Sequence, residues 1–180
     1  HGGFIFPQAT LTDYSVKWMP KKDSMYISNN SDPFQLYDQR ANFDGTTIVS
    51  SKGVYGSGTL QTSGSEIKSN RYTFQHNRFS SRNCEFEIKT DNPEKPALFG
   101  SDVRLRFNLE ENYADISPEV EGQAAVEFPY AQFKTSISNA RWDLNEQKIR
   151  MSKPENVPLE NSYFYTTRKE LDSLRFNATD

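Results

Sequence analysis

The sequence predicts an all-β fold: an antiparallel hairpin-repeat domain, built as an open jellyroll or a sandwich-like solenoid, with almost no helix. Three observations predict it. Apolar and polar residues alternate in many short runs, and one hairpin unit recurs along the chain. The composition is lean in apolar residues, at 34%, yet rich in aromatics, at 13%, with Phe 13 and Tyr 9. A thin core of few but large side chains suits packed layers of sheet better than a sphere. A mean hydropathy of −0.81 would fit disorder, but the aromatics and the clean period of two argue against it.

The recurring unit is clearest over residues 140–152. Ala140, Trp142 and Leu144 alternate onto one face, Asn145-Glu146 supplies a polar turn, and Ile149 and Met151 resume the alternation. Val16-Lys17-Trp18, the turn Lys21-Lys22-Asp23 and the strand Met25-Tyr26-Ile27-Ser28 align with it, Trp on Trp and Ser on Ser. Arg106-Phe107, Leu109-Glu110-Glu111 and Ala114-Asp115-Ile116-Ser117 align again, with Phe107 in the tryptophan's place. Asp172-Ser173-Leu174-Arg175-Phe176 repeats the second strand. If Trp18, Phe107 and Trp142 are equivalent, all three rings belong in the apolar interior.

In chain order, Phe4-Ile5-Phe6-Pro7 reads as an edge strand or lead-in, stopped by proline. The first hairpin follows, and then a polar loop over residues 29–33. Asp44-Gly45 predicts a hairpin turn, because glycine accepts the positive φ of the primed turns, with a β-branched strand after it. Tyr55-Gly56-Ser57-Gly58-Thr59-Leu60 raises the idea of a phosphate cradle. It lacks the Lys-Ser/Thr ending and following helix of such a loop, so its glycines are assigned to sheet curvature or close strand packing. A shorter repeat follows at an offset of twelve, matching Ile67 to Phe79, Ser69 to Ser81 and Phe74 to Phe86. Residues 91–96 form a loop, and Val103-Arg104-Leu105-Arg106-Phe107 opens the next hairpin. Residues 120–128 predict a strand ended by Pro129, and residues 133–137 lead into the Trp142 hairpin. After a loop at 153–158, residues 163–176 make a last, looser copy, with room for one helical turn at 169–174.

The whole chain, 1–180, reads as a single all-β repeat domain. It opens on His1 rather than Met, and its end, Ala178-Thr179-Asp180, resembles the start of another unit (Ala41-Asn42-Phe43-Asp44). The expectation is a fragment of a longer array, with neighbouring repeats of the same parent protein as partners. Net charge is −3 with both signs interspersed, so no basic stripe tracks a phosphate backbone and no nucleic acid is expected as a partner. No run approaches the roughly 20 apolar residues of a transmembrane segment. Cys84 stands alone, which leaves no internal disulfide.

Catalytic signatures are thin. Glu110-Glu111 falls at a turn tip, while Glu119 and Glu121 fall on the polar face of a predicted strand. Neither arrangement gives the facing pair of carboxylates that glycoside hydrolysis needs. Asn42, Asp44 and Gly45 are too sparse for a calcium loop, and no Gly-x-Ser-x-Gly elbow occurs. His1 and His76 are the only histidines. They allow one alternative of another class, a copper-dependent enzyme. The opening His1-Gly2-Gly3-Phe4 resembles that of lytic polysaccharide monooxygenases, in which the terminal amine and two imidazoles ligate copper. The paired cysteines common in that family are absent.

Residues 41–54, from Ala41-Asn42-Phe43-Asp44 through Ile48 to Gly53-Val54, resemble the repeats of the organic-solvent-tolerance and lipopolysaccharide-transport family. Gly56-Ser57-Gly58-Thr59-Leu60, the strands holding Ile67, Phe74 and Phe86, Phe128-Pro129, Trp142-Asp143 and Asp172-Ser173-Leu174-Arg175-Phe176 resemble large envelope proteins of Bacteroidetes. The resemblance implies an exported protein, periplasmic or outer-membrane associated, with a β-jellyroll that carries lipid in an apolar groove. The role expected is therefore a non-enzymatic structural or binding module with a lipid or glycan ligand. Its candidate groove or core aromatics are Phe74, Phe79, Phe86, Phe107, Phe128, Phe133, Trp142 and Phe176. No cofactor follows from this reading.

Overall fold

The computed structural model describes residues 8–154, 162–168 and 175–177, the last three by backbone alone. Among them the all-β expectation holds. Sixteen strands form one antiparallel sheet that does not close on itself, and the only helical piece is a 3-10 turn at Pro20–Lys22. Five long strands run side by side at the centre: β5 (Ala41–Ser50), β6 (Gly53–Thr62), β7 (Ser65–Phe74), β8 (Arg78–Ile88) and β9 (Leu98–Asn108).

A row of irregularities crosses all five. On β5 and β6, Gly45 lies directly opposite Gly58. A Cβ on Gly58 would stand 2.1 Å from the Asp44 carbonyl oxygen, and one on Gly45 would stand 2.2 Å from that of Ser57, so only glycines permit this crossing. On β7, β8 and β9 the inward alternation breaks at two consecutive exposed residues: Asn70-Arg71, Arg82-Asn83 and Ser101-Asp102. The β6–β7 and β8–β9 ladders shift register there and the β7–β8 ladder is interrupted between Lys68 and Tyr72, with Asn83 and Asp102 at φ of +48° and +53°. These are β-bulges, which bend a strand while keeping its apolar residues on one side. Each long strand therefore turns a corner and belongs to two layers.

The flanking strands sort by layer. The first half of β5 pairs with β4 (Phe34–Leu36), which pairs with β1 (Ala9–Thr10). Its second half pairs with β3 (Ser24–Asn29), which pairs with β2 (Tyr14–Met19). At the other side, Phe99 near the start of β9 pairs with β11 (Glu127–Phe128), which leads to β12 (Phe133–Thr135), β15 (Tyr163–Thr166) and β16 (Arg175–Asn177). The end of β9 pairs with β10 (Tyr113–Pro118), then β13 (Asn139–Asp143) and β14 (Lys148–Ser152). The core fills the space between the layers. Phe43 meets Tyr72 and Phe74 edge-on at 5.6 and 5.3 Å, while Trp142 lies 6.2 Å from Phe86 and 6.3 Å from Phe107.

Buried hydroxyls bond the backbone beside the bulges. The Tyr72 hydroxyl donates to the Ile67 carbonyl at 2.8 Å, the Ser81 hydroxyl lies 2.6 Å from that of Ser69, and Ser69 accepts the Arg71 N–H at 3.0 Å. The offset-of-twelve repeat marks this corner: Ser69 and Ser81 each precede the two exposed residues of a bulge. Tyr72→Phe is expected to lower stability by about 1–2 kcal/mol in urea unfolding, because the Ile67 carbonyl loses its buried donor.

The hairpin alignment holds in pairing. Trp142 faces Ile149, Phe107 faces Ala114 and Trp18 faces Met25. The tips of two copies also match. Asn108 and Asp143 each accept two loop N–H groups, and Asn112 and Gln147 adopt positive φ. Leu109 then donates its N–H to Asn77, and Leu144 donates to Asn112, which stacks successive tips.

Three expectations need correction. Trp18 is not interior but 58% exposed, against 7% for Trp142; among the described residues only the short strands β1 and β4 face its end of the layer. Asp44-Gly45 is no turn but the middle of β5; the reversal comes at Ser51-Lys52, and Gly45 serves the crossing with Gly58. Residues 120–126 form a loop that turns at Gly122 (φ +86°), with the Gln123 N–H donating to Val120, so the predicted strand shrinks to Glu127–Phe128. The predicted N-terminal strand at Phe4-Ile5-Phe6 and the helical turn at 169–174 lie outside the described residues.

Candidate functional site

Where the two layers part beside β5, an apolar groove of about 160 Å³ opens between them. Ala9, Leu11, Phe34 and Leu36 line it from the β1–β4 layer; Ile27, Thr47, Val49, Val54 and Phe74 line it from the other. Local sequence explains the wall. Ile27 pairs with Thr47 and Met25 with Val49, so alternation on the neighbouring strands β3 and β5 turns one row of residues toward the groove. Opposite, Phe34 stacks on Phe43 at 6.0 Å, which carries the core out to the mouth. Among the described residues no charged side chain lines the groove. At the far side, Phe128, Ala131, Phe133 and Phe164 line a shallower apolar depression of about 410 Å³ on one layer only.

The aromatic residues singled out from sequence divide accordingly. Phe79, Phe86, Phe107 and Trp142 are buried core, and Phe74 is buried with one edge on the groove. Phe128 and Phe133 line the far depression, and the side chain of Phe176 lies outside the described residues. Sequence reasoning missed Leu11, Ile27, Phe34, Val49 and Val54, the groove's actual lining. Their alternation was legible; the parting of the layers that leaves Leu11, Ile27 and Val49 only partly buried was not.

His76 is exposed at the β7–β8 turn, and His1 lies outside the described residues. Among the described residues no three His, Cys, Asp or Glu side chains gather into a group that could hold a metal ion. Glu110 and Glu111 are exposed at the β9–β10 tip, and Glu119 pairs with Arg104 at 2.9 Å. Burial pushes the Cys84 thiol up to about 11, and the thiol donates to the Val103 carbonyl, so it is an inert core group rather than a nucleophile. Burial likewise raises the Tyr37 and Tyr72 hydroxyls, which stay protonated donors.

Comparison of the chain with protein-family models, with curated proteins and with solved structures returns no match. Among the described residues no helix is long and apolar enough to cross a membrane.

Proposed function

We propose that this chain is a non-enzymatic binding module of the cell envelope that holds an acyl chain in the groove between its layers. One observation carries the reading: both walls of the groove are apolar, and Thr47 is the only polar residue in them among the described residues. Glycan recognition needs converging hydrogen-bond partners, which such a lining does not offer, so lipid is favoured over sugar. The volume, about 160 Å³, is close to that of dry cavities that take up benzene-sized guests, and suits part of a chain rather than a whole lipid. The envelope setting rests on the sequence resemblance alone.

Titration with a long-chain fluorescent fatty acid tests the reading. Saturable binding is expected, weakened about tenfold or more in Val49→Asp, which sets an unpaired carboxylate in the wall. Far-UV circular dichroism confirms that the variant keeps its fold. A native chain that binds no fatty acid, or a folded variant that binds equally well, overturns it.

A further inference from the structure

Strand β2 is an edge. β3 pairs with it along its whole length, and no strand among the described residues pairs with its other side. Tyr14, Val16 and Trp18 face the same way as Met25 and Ile27, yet they are 50%, 50% and 58% exposed. Single exposed apolar residues are ordinary, but three at alternate positions on an unpaired strand form a template for added chain.

The molecule holds a model of what fits there. In the equivalent Trp142 hairpin the first strand, β13, is not an edge: β10 lies against it, with Ala114 opposite Trp142, Asp115 opposite Arg141 and Ile116 opposite Ala140. The Asp115 carboxylate accepts two hydrogen bonds from the Arg141 guanidinium, at 2.6 and 3.0 Å. In the Trp18 hairpin, Lys17 stands in the place of Arg141 and Val16 in that of Ala140. Lys17 is exposed and joins none of the salt bridges among the described residues.

We propose that the free edge of β2 docks a β-strand from another polypeptide, with apolar residues opposite Val16 and Trp18 and a carboxylate between them opposite Lys17. A second copy of this chain fits less well. Among the described residues its strands with an unpaired side include β2, which centred on Lys17 would set Lys17 against Lys17, and β14, which would set Arg150 against Lys17, and like charges directly opposite each other destabilise pairing. The inference does not depend on what the groove holds.

A blocked peptide copying residues 113–118 is the probe, titrated into the whole protein. Trp18 is the exposed one of the two tryptophans, so its emission reports docking. A saturable blue shift is expected. A peptide with lysine in place of its aspartate should bind roughly three- to tenfold more weakly, and Lys17→Glu should reverse that order. Absence of binding overturns the inference, as does equal affinity for both peptides. Light scattering that shows the protein alone dimerising, with the dimer lost in Trp18→Lys, would assign the edge to a second copy and overturn it too.

Discussion

Gly58→Ala is expected to cost at least about 4 kcal/mol in urea unfolding, or to prevent folding, which puts it among the exceptional single substitutions. The added methyl would sit 2.1 Å from the Asp44 carbonyl oxygen and 2.7 Å from the Gly45 Cα. Both are backbone atoms of the neighbouring strand, so no side chain can swing aside. Gly64→Ala is the comparison. It also has a positive φ, +88°, but nothing lies within 4 Å, so a cost of about 1 kcal/mol is expected. If the two variants lose similar stability, the close crossing of β5 and β6 does not set the corner.

Trp142→Ala should cost about 3–5 kcal/mol, the range for deleting a large buried aromatic ring. Trp18→Ala, at the matching place of the matching hairpin, should change stability by no more than about 0.5 kcal/mol. The difference isolates what the opposite layer does: Phe86 and Phe107 pack on Trp142, while Trp18 is 58% exposed. Equal losses from the two substitutions, read by the same urea melts, would mean that Trp18 is covered after all.

Much of the fold was legible because alternation and hairpin turns are local. The strands around Trp142, Phe107 and Trp18 follow from a period of two, and their turns from short polar runs. The corner was visible only indirectly. Ser69 and Ser81 recurred at a fixed offset, but that two polar residues after a small one mark a bulge shows only when the neighbouring strand is in place. Asp44-Gly45 misled for a physical reason. Glycine serves a primed turn and a close strand crossing equally well, and the choice depends on Gly58, thirteen residues away. The groove was hidden more deeply. Buried Phe86 and groove-lining Val49 obey the same alternation, and what separates them is that β1 and β4 are too short to cover the second.

The corner through the five long strands has a consequence for how the molecule opens. A sandwich whose layers own separate strands can part along its middle. Here every strand from β5 to β9 passes from one layer into the other, so neither can melt without tearing the other's ladder. The centre behaves as one cooperative block, and local fraying is left to the arms. β1 is held by β4 through only two residue pairs, and its Ala9 lines the groove. Among the described strands β1 is therefore the one expected to fray first, and fraying there widens the groove without any hinge between the layers.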